Sequence, residues 1–255
     1  ESDKPYSRFM AIYAAFCRWH MKTYGTTQRQ IAAVSAKNHN HSVHNPYAQY
    51  RKPFTIDEVL AAPPITYPIT LPMCAPLTDG AAAAILCTEA GLKRLSADRN
   101  RCVKVAASVV RSFTNRAIDA ADQTVGRLAS KQAYEIAGVG PEEISVAELH
   151  DASAVGEIIQ AENLGLVPLG EGGPAAERGE FTLGGRVPIN VSGGLESKGH
   201  PIGATGIGQL FELVTQLRGE AGRRQVEGAR LAIQENGGGL QGVEEAALAI
   251  HILSK

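Results

Sequence analysis

Cysteine is scarce in this chain. Four stand in 255 residues, at Cys17, Cys74, Cys87 and Cys102, and none forms a CxxC pair. That excludes a disulfide-stapled scaffold and a thiolate metal site, and predicts free thiols in a reducing, cytoplasmic setting. Neither sign of charge dominates. Lys plus Arg is 25 against 26 Asp plus Glu, a formal net charge of -1, so nothing draws the chain to nucleic acid or an anionic membrane. No apolar run approaches the ~20 residues of a membrane span. No low-complexity linker and no short-period repeat is present. The opening residues, Glu1-Ser2-Asp3-Lys4, are charged and unlike a signal peptide. Without an initiator Met they read as a cut, a processed end or a mid-protein boundary.

What is present is globular: 44% hydrophobic and 20% charged residues, enough for a real core and against disorder. Glycine, with 27 copies, clusters between residues 165 and 242, where backbone can approach backbone or ligand closely. The first part reads as a helix over 5–24 ending at Gly25, a second over 26–38 capped by Thr26 or Thr27, and a polar stretch through Pro46. A short helix at 55–60, a small-residue strand over 79–87 and a helix after Thr88 follow. From about 101 onward strands alternate with helices. Strands are expected at 103–110, 145–150, 187–192, 229–235 and 245–253, and helices at 122–137, 153–164 and 205–218. Ile207, Leu210, Phe211, Val214 and Leu217 make the last helix amphipathic and mark it as a buried central element. Gly138, Gly165 and Gly219 fall where left-handed helix caps belong. The pattern is an α/β layered fold, a mixed sheet covered by helices, closed by an antiparallel hairpin.

Three segments, two of them glycine-rich, gather the candidate chemistry. In Asn190-Val191-Ser192-Gly193-Gly194-Leu195-Glu196-Ser197-Lys198-Gly199-His200-Pro201-Ile202-Gly203-Ala204-Thr205-Gly206, His200 precedes a helix N-terminus, where a neutral imidazole is favoured and can act as base or oxyanion donor. A tight turn with a surface His is the bland alternative. In Glu148-Leu149-His150-Asp151-Ala152-Ser153, His150 ends a strand on the side of an α/β sheet where ligands bind, and Asp151 or Ser153 is a candidate helix cap. In Gln234-Glu235-Asn236-Gly237-Gly238-Gly239-Leu240, three glycines let a loop wrap a reacting centre, or serve only as a hairpin loop. His39, His41 and His44 lack Cys or carboxylate partners at ligand spacing, so no metal is expected there. Arg218, Arg223, Arg224 and Arg230 read as a solvated face, or as one that meets an anionic nucleotide.

The run NVSGGLESKGHPIGATG, flanked by ELHDAS and QENGGGLQG, resembles the thiolase superfamily. Within it the chain is similar to the sterol carrier protein type and lipid-transfer-like branch, whose first motif begins with His-Asp. The resemblance covers essentially all 255 residues and implies the second half of a two-half thiolase fold. It implies a split, with 1–100 completing the first half and 101–255 forming the carboxy-terminal domain. The half that carries the nucleophilic cysteine is missing, and none of the four cysteines stands in the nucleophile's setting.

Carried over by position, the resemblance makes His200 the histidine that activates the nucleophilic thiol. His150 matches the residue that builds an oxyanion hole through a water. Glu235 matches the proton-shuttling second cysteine, a position where this branch tends to have His. Gly238, Gly239 and Gly194 match backbone near the reacting thioester, and Ala75 lies in the 74–80 segment beside which the pantetheine of CoA passes. Coenzyme A or acyl-CoA is then substrate, with no permanently bound cofactor. The implied activity is CoA-dependent cleavage of a 3-oxoacyl-CoA, or the reverse condensation, with a role in lipid metabolism and beta-oxidation. The alternatives are a retro-aldol lyase on a steroid or lipid side-chain CoA thioester, and a non-catalytic acyl-CoA-binding subunit. Implied partners are the missing amino-terminal half, a second copy in a homo-oligomer, or a small zinc-ribbon/OB-fold protein.

Overall fold

The computed structural model describes residues 6–95 and 98–255. Two helices open it. Helix α1 (Arg8–Tyr24) is capped by the Ser7 hydroxyl and stopped by Gly25 at φ 76°, whose N–H returns to Met21 O. Helix α2 (Gln28–Ser42) starts in a capping box between Thr27 and Gln30. It runs on through the polar stretch expected to end it. The reason is tertiary: Asn38, His39, His41 and Ser42 find hydrogen-bond partners on other segments, so they do not compete for the helix backbone. Helix α3 (Ile56–Ala61) has its own capping box, Thr55 with Glu58, and is followed by a small antiparallel pair, β1 (Pro64–Thr66) and β2 (Ile69–Thr70).

The run 79–87 is not the buried strand expected. It is exposed, with Ile85 at 90% and Leu86 at 81%, and has no sheet partner among the described residues. Small apolar side chains give a strand nothing to hold it unless a neighbour supplies the ladder, and here nothing does. Helix α4 (Glu89–Leu95) follows, as Thr88 announced.

The main sheet forms as expected from 104 onward. It holds β3 (Lys104–Ser112), β4 (Val146–Glu148), β5 (Leu231–Gly238) and β6 (Ala247–Ser254), in the order β3-β6-β5-β4. The closing β5–β6 pair is antiparallel and β4 lies parallel to β5. The strand expected over 187–192 is reduced to a bridge between Ile189 and Ala147, because Asn190 turns the chain at φ 54°. Helix α5 (Val125–Ala137) lies against β3 and β6. Helices α6 (Ala154–Asn163), α7 (Gly172–Glu177), α8 (Gly194–Lys198) and α9 (Thr205–Leu217) complete the layers. Gly138, Gly165 and Gly219 adopt left-handed φ near 70°, as their positions required. The larger core is continuous from Ala14 on α1 to Ile252 on β6, so the opening helices share one interior with the sheet.

Helix α9 corrects one expectation. It packs on β4 and β5, but by Thr205, Gln209, Glu212, Leu213, Gln216 and Leu217. Of the predicted stripe, Leu217 is buried and Leu210 and Val214 pack against the smaller core, Ile207 is half-buried, and Phe211 alone turns outward, at 49% exposure. Arg224 is likewise not on a solvated face: it is buried and paired with Glu212 at 3.0 Å.

The exposed apolar side chains Leu77, Ile85, Leu86, Ile202 and Phe211 exceed the scattered ones that a surface normally carries. The chain on its own is therefore expected to associate. Sedimentation velocity over a concentration series checks this, and a single monomeric species at every concentration contradicts it.

Candidate active site

The site is assembled by carboxylates that reach across to main chain. Glu148, the last residue of β4, accepts from Ser192 N at 3.0 Å and from its hydroxyl at 2.6 Å, and binds Lys198 Nζ at 3.2 Å. Asp151 accepts from Leu195 N at 2.7 Å and from Asn38 Nδ2 at 3.0 Å. Asn190 Oδ1 accepts from Leu149 N at 2.8 Å. The turn after β4 and the glycine-rich segment are thus tied at three points, all buried. Asp151 is no helix cap: it holds the start of α8, and Ser153 takes the N-cap position of α6 without a side-chain bond.

This brings the sequence-chosen histidines together. The rings of His150 and His200 meet edge to face with centroids 5.1 Å apart. His200 Nδ1 lies 2.8 Å from Thr205 Oγ1, and that hydroxyl is in turn 3.2 Å from Pro201 O, to which it donates. With its proton spent there, the hydroxyl accepts from Nδ1–H, so Nε2 carries the free lone pair. Burial, with the Lys198 charge added, keeps the His200 imidazole below its ordinary pKa. Burial and the adjacent His200 push His150 further, down to about 3. Both are neutral rings at neutral pH.

Glu235 joins them. It is fully buried on β5, its Oε2 accepts from His150 N at 3.0 Å, and its Oε1 has no partner among the described residues. Burial first, then the charge of Glu245, holds its carboxyl well above the usual range. Below lies a second buried group, where one amide, Asn38 Nδ2, faces Asp151, Glu157 and Glu196 at 3.0, 3.1 and 3.3 Å. Lys37 pairs with Glu157 at 2.9 Å. Three carboxyls against one ammonium leave an excess of negative charge in the interior. Asp151 and Glu196 accordingly rise well above the ordinary carboxylate values, chiefly through burial.

The remaining predicted residues fall as follows. Ala75 N donates to Ala152 O at 3.0 Å and Leu77 bridges to His200, so the 74–80 segment runs directly between the two histidine turns. Gly239, at φ 70°, lines a cavity together with His150; Gly238, exposed, ends β5. Gly194 is buried at φ 60°, and the space its side chain would fill is taken by Asp151 and Asn38. His39 binds Pro72 O, while His41 donates to Asn190 O and accepts from Leu183 N, so both serve as polar struts. Sequence reasoning missed Thr205, Lys37, Asn38, Glu157 and Glu196. Thr205 alone had a signal, standing five residues after His200 at the start of a helix.

Among known proteins, residues 107–254 match the family model described as thiolase C-terminal domain-like. The chain is 44% identical over 222 residues to sterol carrier protein 2 of Oryctolagus cuniculus, covering 85% of this chain and 41% of that one. It is 42% identical over 250 residues to an acetyl-CoA acetyltransferase of Methanothermobacter thermautotrophicus, covering 97% of this chain and 63% of that one. The solved Ltp2-ChsH2(DUF35) aldolase shares the fold with a TM-score of 0.77 at 21% identity, over 95% of this chain and 62% of that chain. The chain thus spans 41 to 63% of the length of these curated relatives. No helix among the described residues is long and apolar enough to cross a membrane.

Two predictions follow from the geometry. Gly194→Ala puts a methyl group into Asp151 at a left-handed φ, and is expected to cost about 2 kcal/mol or more; denaturant unfolding measures it, and an unchanged midpoint refutes the clamp. The imidazoles of His39, His41, His150, His200 and His251 are held below their ordinary value, so above about pH 7.5 they are neutral both folded and unfolded. The raised carboxyls Asp151, Glu196 and Glu235 still hold protons that the unfolded chain has released. Their contribution is complete below the ordinary carboxylate range and is lost as pH rises through their folded values. The Tm by circular dichroism should fall as pH rises above about 7.5, and Glu235→Gln should flatten the fall. A Tm that rises over this window contradicts the assignment.

Proposed function

This chain belongs to the thiolase superfamily, in its sterol-carrier-protein-like branch, and we propose that it is the carboxy-terminal part of an acyltransferase acting on 3-oxoacyl-CoA thioesters. The observation that carries the reading is the His150–His200 pair at 5.1 Å, with the Nδ1 of His200 committed to Thr205. Substrate lies along 74–80, beside Ala75, with its thioester toward Gly238 and Gly239. In this reading His200 Nε2 takes the proton of a cysteine thiol as the sulfur adds to the 3-oxo carbon. The C2–C3 bond then breaks, the electron pair left on C2 is protonated to release acetyl-CoA, and the acyl chain, shorter by two carbons, stays on the cysteine sulfur. Free CoA cleaves the remaining acyl-enzyme. Neutral His150 donates toward the developing oxyanion, a role a charged ring would fill at higher desolvation cost.

The thiol comes from outside this chain. A nucleophilic cysteine needs a lowered pKa, yet burial holds the Cys74 thiol up at about 12 and raises Cys17 further. Cys87 is exposed, on the run that lacks a sheet partner. The partner is therefore the nucleophile-bearing half or a second copy; a small zinc-ribbon/OB-fold protein is the alternative partner.

One observation favours a second reaction at the same site. The Glu235 carboxyl keeps a free oxygen beside His150. In its ionised form such a group can take the proton of a 3-hydroxyl as the C2–C3 bond breaks and pass it to C2, which makes a retro-aldol cleavage of a CoA thioester the second reading. Removing His200 separates the two. In protein that contains the nucleophile-bearing half, His200→Ala should lower thiolytic turnover of a 3-oxoacyl-CoA by about 10² or more, with CoA-thioester affinity little changed. Unchanged turnover removes His200 from the chemistry.

A further inference from the structure

A cavity of about 100 Å³ opens beside the paired histidines, on the side of α1. His150 and Gly239 form its inner end. Helix α1 gives it an aromatic wall of Phe9, Tyr13, Phe16 and Trp19, and Ile159 and Leu240 close the opposite side. The mouth is beside Phe9, which is 59% exposed. Polar groups also border the cavity, but they are bound to one another. His20 lies 3.1 Å from Glu162, Arg116 lies 3.2 Å from Glu244, and Gln160 donates to Glu245 at 2.7 Å. Arg116, the cationic side chain of this lining, therefore already has its anion, and the cavity offers no spare positive charge to a ligand.

We infer that this cavity receives the acyl group of the CoA thioester and selects a compact, uncharged, apolar group about the size of a phenyl ring or a branched five-carbon chain. The inference rests on the acyl-CoA reading above and adds the substrate class. Size decides between acyl groups. An apolar cavity of about 150 Å³ holds benzene, and this one is smaller but open at one end, so one ring or its equivalent fits while a long chain must leave through the mouth. Charge decides against a terminal carboxylate, which would enter an apolar space without an unpaired cation to meet it. Placement decides the occupant, because the inner end is His150 itself, so a group lying there is continuous with the reacting carbonyl.

The protein carries its own reporter, since Trp19 is the single tryptophan and stands in the cavity wall. The experiment titrates the chain with CoA, acetyl-CoA, hexanoyl-CoA, benzoyl-CoA, palmitoyl-CoA and succinyl-CoA, reading binding heat and Trp19 emission in parallel. Each methylene buried is worth about four-fold in affinity. Hexanoyl-CoA and benzoyl-CoA should therefore bind at least ten-fold more tightly than CoA and change Trp19 emission. Palmitoyl-CoA should gain nothing over hexanoyl-CoA, and succinyl-CoA nothing over CoA. Ile159→Phe, which fills the cavity, should abolish the acyl-dependent gain and leave CoA binding intact. Equal affinity for CoA and all its thioesters with silent Trp19 overturns the inference while leaving the acyl-CoA reading in place. An affinity that climbs steadily to palmitoyl-CoA also overturns it. If neither CoA nor any thioester binds, the acyl-CoA reading fails and this inference with it.

Discussion

Everything at the site hangs on buried carboxylates accepting main-chain hydrogens across a gap between two turns. Glu148 and Asp151 leave one strand end and bind Ser192 and Leu195 on the facing segment. Neither turn has a regular ladder of its own to hold it. Without those bonds, the donors at 192 and 195 would be left unsatisfied inside the protein, which costs more than an ordinary hydrogen bond contributes. The clamps therefore fix the distance between His150 and His200 as firmly as a disulfide would in an oxidising compartment. Gly194 is needed for the same reason, since a Cβ there would meet Asp151, while Gly193 lets the segment lie against Ser42 of α2.

The same economy explains why so many acidic groups are buried here. The interior beneath the site holds more carboxyl than cation, and the excess is carried as protonated acid. Glu235 is part of that pattern, and its Oε1 is left without a partner among the described residues. The histidines above it lean the other way. Desolvation keeps them neutral, so base and acid coexist within a few ångströms because burial pushes each kind of group toward its uncharged form.

Local signals in the sequence carried far. Glycine positions announced the ends of α1 and α5, threonines announced the starts of α2 and α4, and the hairpin of β5 and β6 was readable from its apolar runs and glycine-rich connection. His150, His200 and Glu235 were readable because each ends a strand or precedes a helix, the last two in glycine-rich segments. What stayed hidden depended on partners distant in the chain. Asn38 and Lys37 sit in a helix of unremarkable polarity, and only the fold sets them against Glu157 and Asp151. The strand expected over 79–87 failed because a strand is a property of two segments, and its apolar composition says nothing of whether the second is at hand. The stripe on α9 was a genuine helical period, but the buried face is shifted from it: Leu217 stays inside, Phe211 is exposed, and polar residues fill part of the inner side. Three polar residues, Gln209, Glu212 and Gln216, take the buried face because each has an amide, carboxylate or guanidinium waiting.

The polar part of that helix's buried face has a mechanical consequence. Two apolar surfaces slide over each other with little loss, and a helix held by oil alone can shift a turn along its neighbour. Helix α9 is held by directional contacts: Gln209 to Gln234 and to the carbonyl of Glu235, Glu212 to Arg224, Gln216 to the carbonyl of Arg224. A shift of one turn, about 5.4 Å, would break all of them at once and offer no matching set in exchange. Thr205, the first residue of this helix, orients His200, so the base inherits a fixed anchor. A ligand that reaches His200 therefore meets a ring whose helix does not slide along the sheet to make room for it.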